Sequence, residues 1–159
     1  MSRIETIAAL LRQRQWMLAT AESCTGGMIA GACTDVAGSS EWFERGFVTY
    51  SNEAKTEMLG VDKALIDANG AVSEIVARAM AFGAVRHSHA RVGVAVTGIA
   101  GPTGGTPGKP VGTVWFAFML DGRLSSEMLR FEGDRAAVRR KTVDHALARL
   151  VELLQEWQP

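Results

Sequence analysis

The chain is poor in cysteine. It has two, Cys24 and Cys33, in 159 residues. That is too few for a disulfide framework, so a reducing compartment, the cytoplasm, is the expected setting. Three histidines (His87, His89, His145) complete a thin supply of soft ligands, and nothing in their spacing is that of a metal site. The nearest pair, His87-x-His89, reads as favourable placement at a helix end. No metal is expected. Neither sign of charge is in excess: 17 Lys and Arg stand against 17 Asp and Glu. An extended nucleic-acid footprint needs a basic surplus, so DNA and RNA are not expected partners. No apolar run approaches the roughly 20 residues that cross a bilayer. The start, Met1-Ser2-Arg3-Ile4-Glu5, leads into an amphipathic pattern with Arg12 and Arg14 rather than a signal peptide. Membrane attachment and secretion are therefore not expected either.

What is present is the composition of a soluble globule, 47% hydrophobic and 21% charged. With no internal repeat and no linker, residues 1–159 are expected to form one domain. Apolar residues at helical spacing predict a first helix over 4–13, then a short strand over 17–20 and a second helix over 28–36. Aromatic and β-branched residues predict a strand within 42–50, ending near Tyr50. Helices follow over 52–59, capped by Asn52 and stopped by Gly60, over 62–68, and over 73–87 with Ser73 as cap. Residues 92–96 read as a buried central strand. Asp121-Gly122 reads as a hairpin turn between strands over 113–120 and 124–131. A last helix opens at Gly133-Asp134. This order predicts a three-layer α/β/α sandwich with a mixed, mostly parallel sheet of about five strands.

In open α/β sheets ligands bind beyond the carboxyl ends of the strands. Three such ends carry unusual residues. The first is Glu22-Ser23-Cys24-Thr25-Gly26-Gly27, a strand-to-helix turn in which Ser23 and Thr25 suit helix capping and the glycines admit close approach. The second is Tyr50-Ser51-Asn52-Glu53-Ala54-Lys55. The third is the Gly/Pro-rich segment from Thr97 and Gly98 through Gly101 to Gly112, whose length in a compact domain marks it as functional. A serine hydroxyl is a weak nucleophile that needs a base. No histidine lies in these turns, so Lys55 is the available base, provided its pKa is lowered. Tyr50 would relay or orient the proton. Cys24 competes as nucleophile, because a thiolate at a helix start is activated. The glycine loop offers N–H donors for an oxyanion or a phosphate. Arg135, Arg139 and Arg140 add guanidinium groups suited to phosphate. Each residue also has an ordinary reading: Ser23 as a cap, Lys55 as a solvated helix lysine, Cys24 as core filler, the arginines as a charged face.

Taken together, Ala21-Glu22-Ser23-Cys24-Thr25-Gly26-Gly27, Tyr50-Ser51-Asn52-x-x-Lys55, Gly70-Ala71-Val72-Ser73, Thr97-Gly98-Ile99-Ala100-Gly101-Pro102-x-Gly104-Gly105 and Lys109-Pro110-Val111-Gly112-Thr113 resemble the CinA C-terminal domain family. The resemblance covers nearly the whole chain, in order. The family's stand-alone members are PncC-type nicotinamide-nucleotide amidases. The resemblance implies hydrolysis of nicotinamide mononucleotide to nicotinate mononucleotide and ammonia, a step of pyridine-nucleotide recycling, on an α/β/α fold with no required metal or cofactor. It places the family's serine on Ser23, its lysine on Lys55 and its tyrosine on Tyr50. The expected substrate contacts are Glu22, Thr25, Gly26, Asn52, Thr97, Gly98, Gly101 and Arg139.

A second reading is a nucleotide-binding or regulatory module without catalysis, which the same anion-friendly turns would serve; an intact Ser23, Tyr50 and Lys55 set argues against it. DNA binding, raised by the family's competence-linked name, is disfavoured by the zero net charge. A homodimer is the expected assembly on the general frequency of two-fold oligomers.

Overall fold

A computed structural model describes residues 1–159. In chain order the elements are α1 (Arg3–Arg14), β1 (Leu18–Glu22), α2 (Met28–Cys33), a 3-10 turn (Ser39–Glu41), β2 (Phe43–Val48), α3 (Asn52–Leu59), α4 (Lys63–Asn69), α5 (Glu74–Arg86), β3 (Val92–Gly98), β4 (Thr113–Leu120), β5 (Arg123–Arg130) and α6 (Arg135–Glu156). Local chemistry sets many of these boundaries. Ser2, Ser51, Asp62, Ser73 and Asp134 each accept from a first-turn N–H of the helix that follows. Gly60 ends α3 in the left-handed conformation that suits glycine. Asp121 and Gly122 both have positive φ, the requirement of a type I′ hairpin turn.

The strands form one sheet in the order β2-β1-β3-β4-β5. The pairs β1–β2 and β1–β3 are parallel, while β3–β4 and β4–β5 are antiparallel. The expected sheet of five strands is therefore present and mixed, but parallel pairing is confined to β2-β1-β3. The hairpin accounts for β4–β5, since a two-residue turn joins only antiparallel neighbours; β4 returns antiparallel beside β3 through the 99–112 loop, which holds no crossover helix.

The two sheet faces differ in residue size. Leu18, Val92, Val94, Val96, Val114, Phe116, Phe118 and Leu120 point to one face and pack on α1, α2 and α6. Ala19, Ala21, Ala95 and Ala117 point to the other, beneath α5. Gly93 lies on that face too, where an added Cβ would come within 2.9 Å of the Ala81 carbonyl oxygen. Small residues let α5 lie close on the sheet and bury Val76, Ala77, Met80, Ala81 and Ala84 completely.

This arrangement brings the three strand ends together. Glu22 is in register with Val48 on one side and Val96 on the other. The chain leaves β1 into α2 on one face, leaves β2 into α3 on the other, and leaves β3 into the long loop before β4. These departures open the crevice that sheet topology predicts.

Candidate active site

Ser23 follows β1 directly, and its N–H donates to the Val96 carbonyl of β3 (3.1 Å). Gly26 and Gly27 both have positive φ and turn the chain sharply into α2. Neither Ser23 nor Thr25 caps that helix. Its first residues are held by Glu22, whose buried carboxylate accepts from the Thr25 hydroxyl, from the Ile29 N–H (2.8 Å) and from the Ala30 N–H (3.0 Å). A carboxylate at a helix start is favoured by the dipole. The N–H groups of this helix start, the kind that can hold an anion, are thereby occupied from within the chain.

Lys55 lies one turn into α3 and points back at the strand ends. It is 1% exposed, and it lies in no ion pair with a carboxylate. Its Nζ donates to Ser23 Oγ (2.9 Å), to the Thr49 carbonyl (2.9 Å) and to the Tyr50 carbonyl (3.3 Å). Burial disfavours the ammonium and lowers the pKa from 10.5 to about 8. A neutral amine within hydrogen-bond reach of a serine hydroxyl is the arrangement that general-base activation requires.

Cys24 is buried, and burial pushes its thiol up to about 11. It is a neutral thiol near pH 7, which favours Ser23 as the nucleophile.

Ser23, Cys24 and Lys55 border a cavity of about 320 Å³. Asn52, Tyr50, Thr97, Gly98 and Gly101 line it as the sequence predicts. The Thr97 hydroxyl donates to the Ala71 carbonyl (3.0 Å) and fastens the 70–73 segment against β3. Gly98 has no room for a side chain, since a Cβ would meet Val114 and Cys24 Sγ. Past Gly98, the N–H groups of Ala100, Gly101, Thr103 and Gly104 make no hydrogen bond within the chain. They remain available as donors to a ligand.

The geometry departs from the sequence reading at several residues. Glu22, Thr25, Gly26 and Arg139 do not line the cavity. Glu22 is spent on α2, as above. Arg139 reaches the Ser23 turn from behind, its Nε donating to the Cys24 carbonyl (3.0 Å) and its Nη2 to the Thr25 carbonyl (3.4 Å). Gly26 lies beside that guanidinium. Tyr50 is 62% exposed, and its phenol accepts from Arg135 Nη2 (3.0 Å). It hydrogen-bonds neither Ser23 nor Lys55, so a relay through the phenol has no bonded path in this arrangement; the Tyr50 backbone carbonyl is what Lys55 touches. The guanidinium in the cavity wall is Arg135, which also donates to the Gly101 carbonyl (2.9 Å). Arg135 and Arg139 are four apart on α6 and share a face. Their spacing shows that both reach the strand ends, but not which one meets the cavity. Ala71, Val72, Ile99, Ala100, Thr103 and Gly104 complete the lining; the Gly70-Ala71-Val72-Ser73 and Thr97–Gly105 motifs had marked those stretches without singling them out.

The model of the CinA C-terminal domain family matches residues 2–154. The chain is 56% identical over 134 residues to the nicotinamide-nucleotide amidohydrolase PncC of Enterobacter agglomerans, covering 84% of this chain and 82% of that one. It is 54% identical over 153 residues to a putative competence-damage inducible protein of Symbiobacterium thermophilum, covering 91% of this chain and only 36% of that longer one. The fold superposes on the crystal structure of the competence damage-inducible protein A (ComA) of Klebsiella pneumoniae with a TM-score of 0.94 at 40% identity, over 98% of this chain and 97% of that one. By sequence and by fold, the chain belongs to the CinA C-terminal domain family.

Proposed function

We propose that the chain is an amidohydrolase that converts nicotinamide mononucleotide to nicotinate mononucleotide and ammonia, with Ser23 as nucleophile and Lys55 as its base. The observation that carries the reading is the contact between Ser23 Oγ and a buried, carboxylate-free Lys55 Nζ. The similarity to a nicotinamide-nucleotide amidohydrolase supports the substrate.

The steps follow from the groups present. Neutral Lys55 takes the Ser23 proton as Oγ attacks the carboxamide carbon. The carbonyl oxygen becomes an oxyanion, which unpaired N–H groups around Ser23 and along 100–104 are suited to hold. Lys55 then returns the proton to the leaving nitrogen, and ammonia departs. Water, activated by Lys55, hydrolyses the resulting ester of Ser23 and releases the carboxylate. Arg135 is the cavity's guanidinium and suits the 5′-phosphate. A module that only bound nucleotides would have no use for a desolvated lysine held on a serine.

Ammonia release and product identity test this. Ser23→Ala and Lys55→Ala should each lose activity by at least about a thousandfold, the scale seen when one member of a nucleophile–base unit is removed. Near-normal rates in either variant would end the dyad reading.

A further inference from the structure

We infer that Arg139 is a positioning residue for the nucleophile, acting from outside the cavity through the backbone of the Ser23 turn. This rests on the reading of Ser23 as nucleophile. Besides the Ser23 N–H on the Val96 carbonyl and Lys55 on Ser23 Oγ, three ties hold the rest of the turn. The Glu22 carboxylate takes the Thr25 hydroxyl, the Gly26 N–H donates to the Ser23 carbonyl (3.1 Å), and Arg139 donates to the Cys24 and Thr25 carbonyls. Of these three ties, only the third comes from a distant part of the sequence, 115 residues away from Cys24.

Two physical consequences follow. A peptide unit is planar and trans, so fixing the Cys24 carbonyl fixes the Thr25 N–H on the opposite edge of the same plane. That N–H makes no hydrogen bond within the chain. A cation at the carbonyl end also polarises the unit, which makes its N–H a stronger donor. Arg139 therefore restrains the residue next to Ser23 and charges the turn positively without meeting the substrate. Arg135, one helical turn earlier, ties the Gly101 carbonyl and the Tyr50 phenol in the same way. The first turns of α6 thus tie the ends of all three parallel strands together.

The experiment compares Arg139→Met and Arg139→Lys with the unaltered chain. Misplacing a reacting group by about 1 Å costs on the order of a hundredfold. Arg139→Met should lower kcat by about tenfold to a hundredfold and leave KM within about twofold. Arg139→Lys keeps the charge but not the fork, and should recover part of that loss. A residue that bound the phosphate would instead raise KM, and that result would overturn the proposal. The second readout does not depend on turnover. Cys24 sits in the restrained turn, whereas Cys33 is buried at the far end of α2. Alkylation by iodoacetamide, followed by peptide mass spectrometry, should modify Cys24 several-fold faster in Arg139→Lys, which keeps a cation beside the thiol but not the fork, with Cys33 unchanged. Equal Cys24 rates in the two proteins would overturn the proposal. Should the unaltered chain release no ammonia, the proposed function fails while the alkylation arm still decides the role of Arg139. If Arg139→Met does not fold, Arg139→Lys carries both readouts: a lowered kcat with faster Cys24 alkylation supports the proposal, and values equal to the unaltered chain refute it.

Discussion

On the proposed function, the pH dependence of the reaction follows from one side chain. Lys55 acts as a base only when neutral, and burial lowers its pKa from 10.5 to about 8. With that value about 9% of the lysine is neutral at pH 7 and about 90% at pH 9. The rate at low substrate, kcat/KM, should therefore rise about tenfold from pH 7 to pH 9 and then level off. The phosphate of the substrate loses its second proton near pH 6, so it is fully charged across this window and contributes no inflection. Cys24, pushed up to about 11, titrates above the window, and Cys24→Ala should leave the profile in place. The assay is ammonia release at constant ionic strength, in overlapping buffers. The same residue predicts a stability effect of defined sign. Its folded pKa lies below its unfolded one, so below pH 8 the folded state carries the full cost of burying an ammonium. The gap corresponds to about 3 kcal/mol. That cost is relieved as pH rises from about 8 to 10.5. Stability measured in urea should thus gain more between those pH values in the unaltered chain than in Lys55→Met, which has no proton to lose. A flat or falling kcat/KM between pH 7 and pH 9 would refute the assignment of Lys55 as a neutral base.

Three further outcomes are expected. Cys24→Ala should retain activity within a few-fold in the ammonia assay, because a buried neutral thiol is no nucleophile. Arg135→Leu should raise KM for nicotinamide mononucleotide about tenfold to a hundredfold, the value of a lost charged hydrogen bond of roughly 1.5–3 kcal/mol; the matching riboside, which has no phosphate, should be used equally poorly by both proteins. Glu22→Gln presents an amide –NH₂ where an oxygen now accepts an N–H of α2. It should cost about 2–3 kcal/mol and lower the melting temperature by roughly 5–10 °C, read by calorimetry.

Much of this was legible in the sequence because the signals were local. Ser73 and Asp134 as caps, Gly60 as a stop and Asp121-Gly122 as a hairpin turn act within a few residues of themselves, and the elements they bound fall where expected. The convergence of Ser23 and Lys55 was legible too, because parallel strands align their carboxyl ends. Where the reading slipped, a distant partner decided. Strand β1 runs on to Glu22 because that acid is buried as the ligand of the next helix, a role no window of neighbouring residues announces. Helix α2 stops at Cys33, short of the predicted Val36, and α3 is capped by Ser51 one residue before the predicted Asn52. Arg135 rather than the expected Arg139 lines the cavity, because helical spacing fixes their shared face but not what each meets across the fold. Tyr50 was placed correctly at the cavity, yet its phenol answers to Arg135, 85 residues away.

The dyad itself is tested most directly by a double-mutant cycle on ammonia release from nicotinamide mononucleotide, using the unaltered chain, Ser23→Ala, Lys55→Ala and the double variant. Two residues that act as one unit lose their effect together. The double variant should be no slower than the slower single variant, with all three far below the unaltered chain. Losses that multiply in the double variant would mean that Ser23 and Lys55 act independently, and would contradict the account.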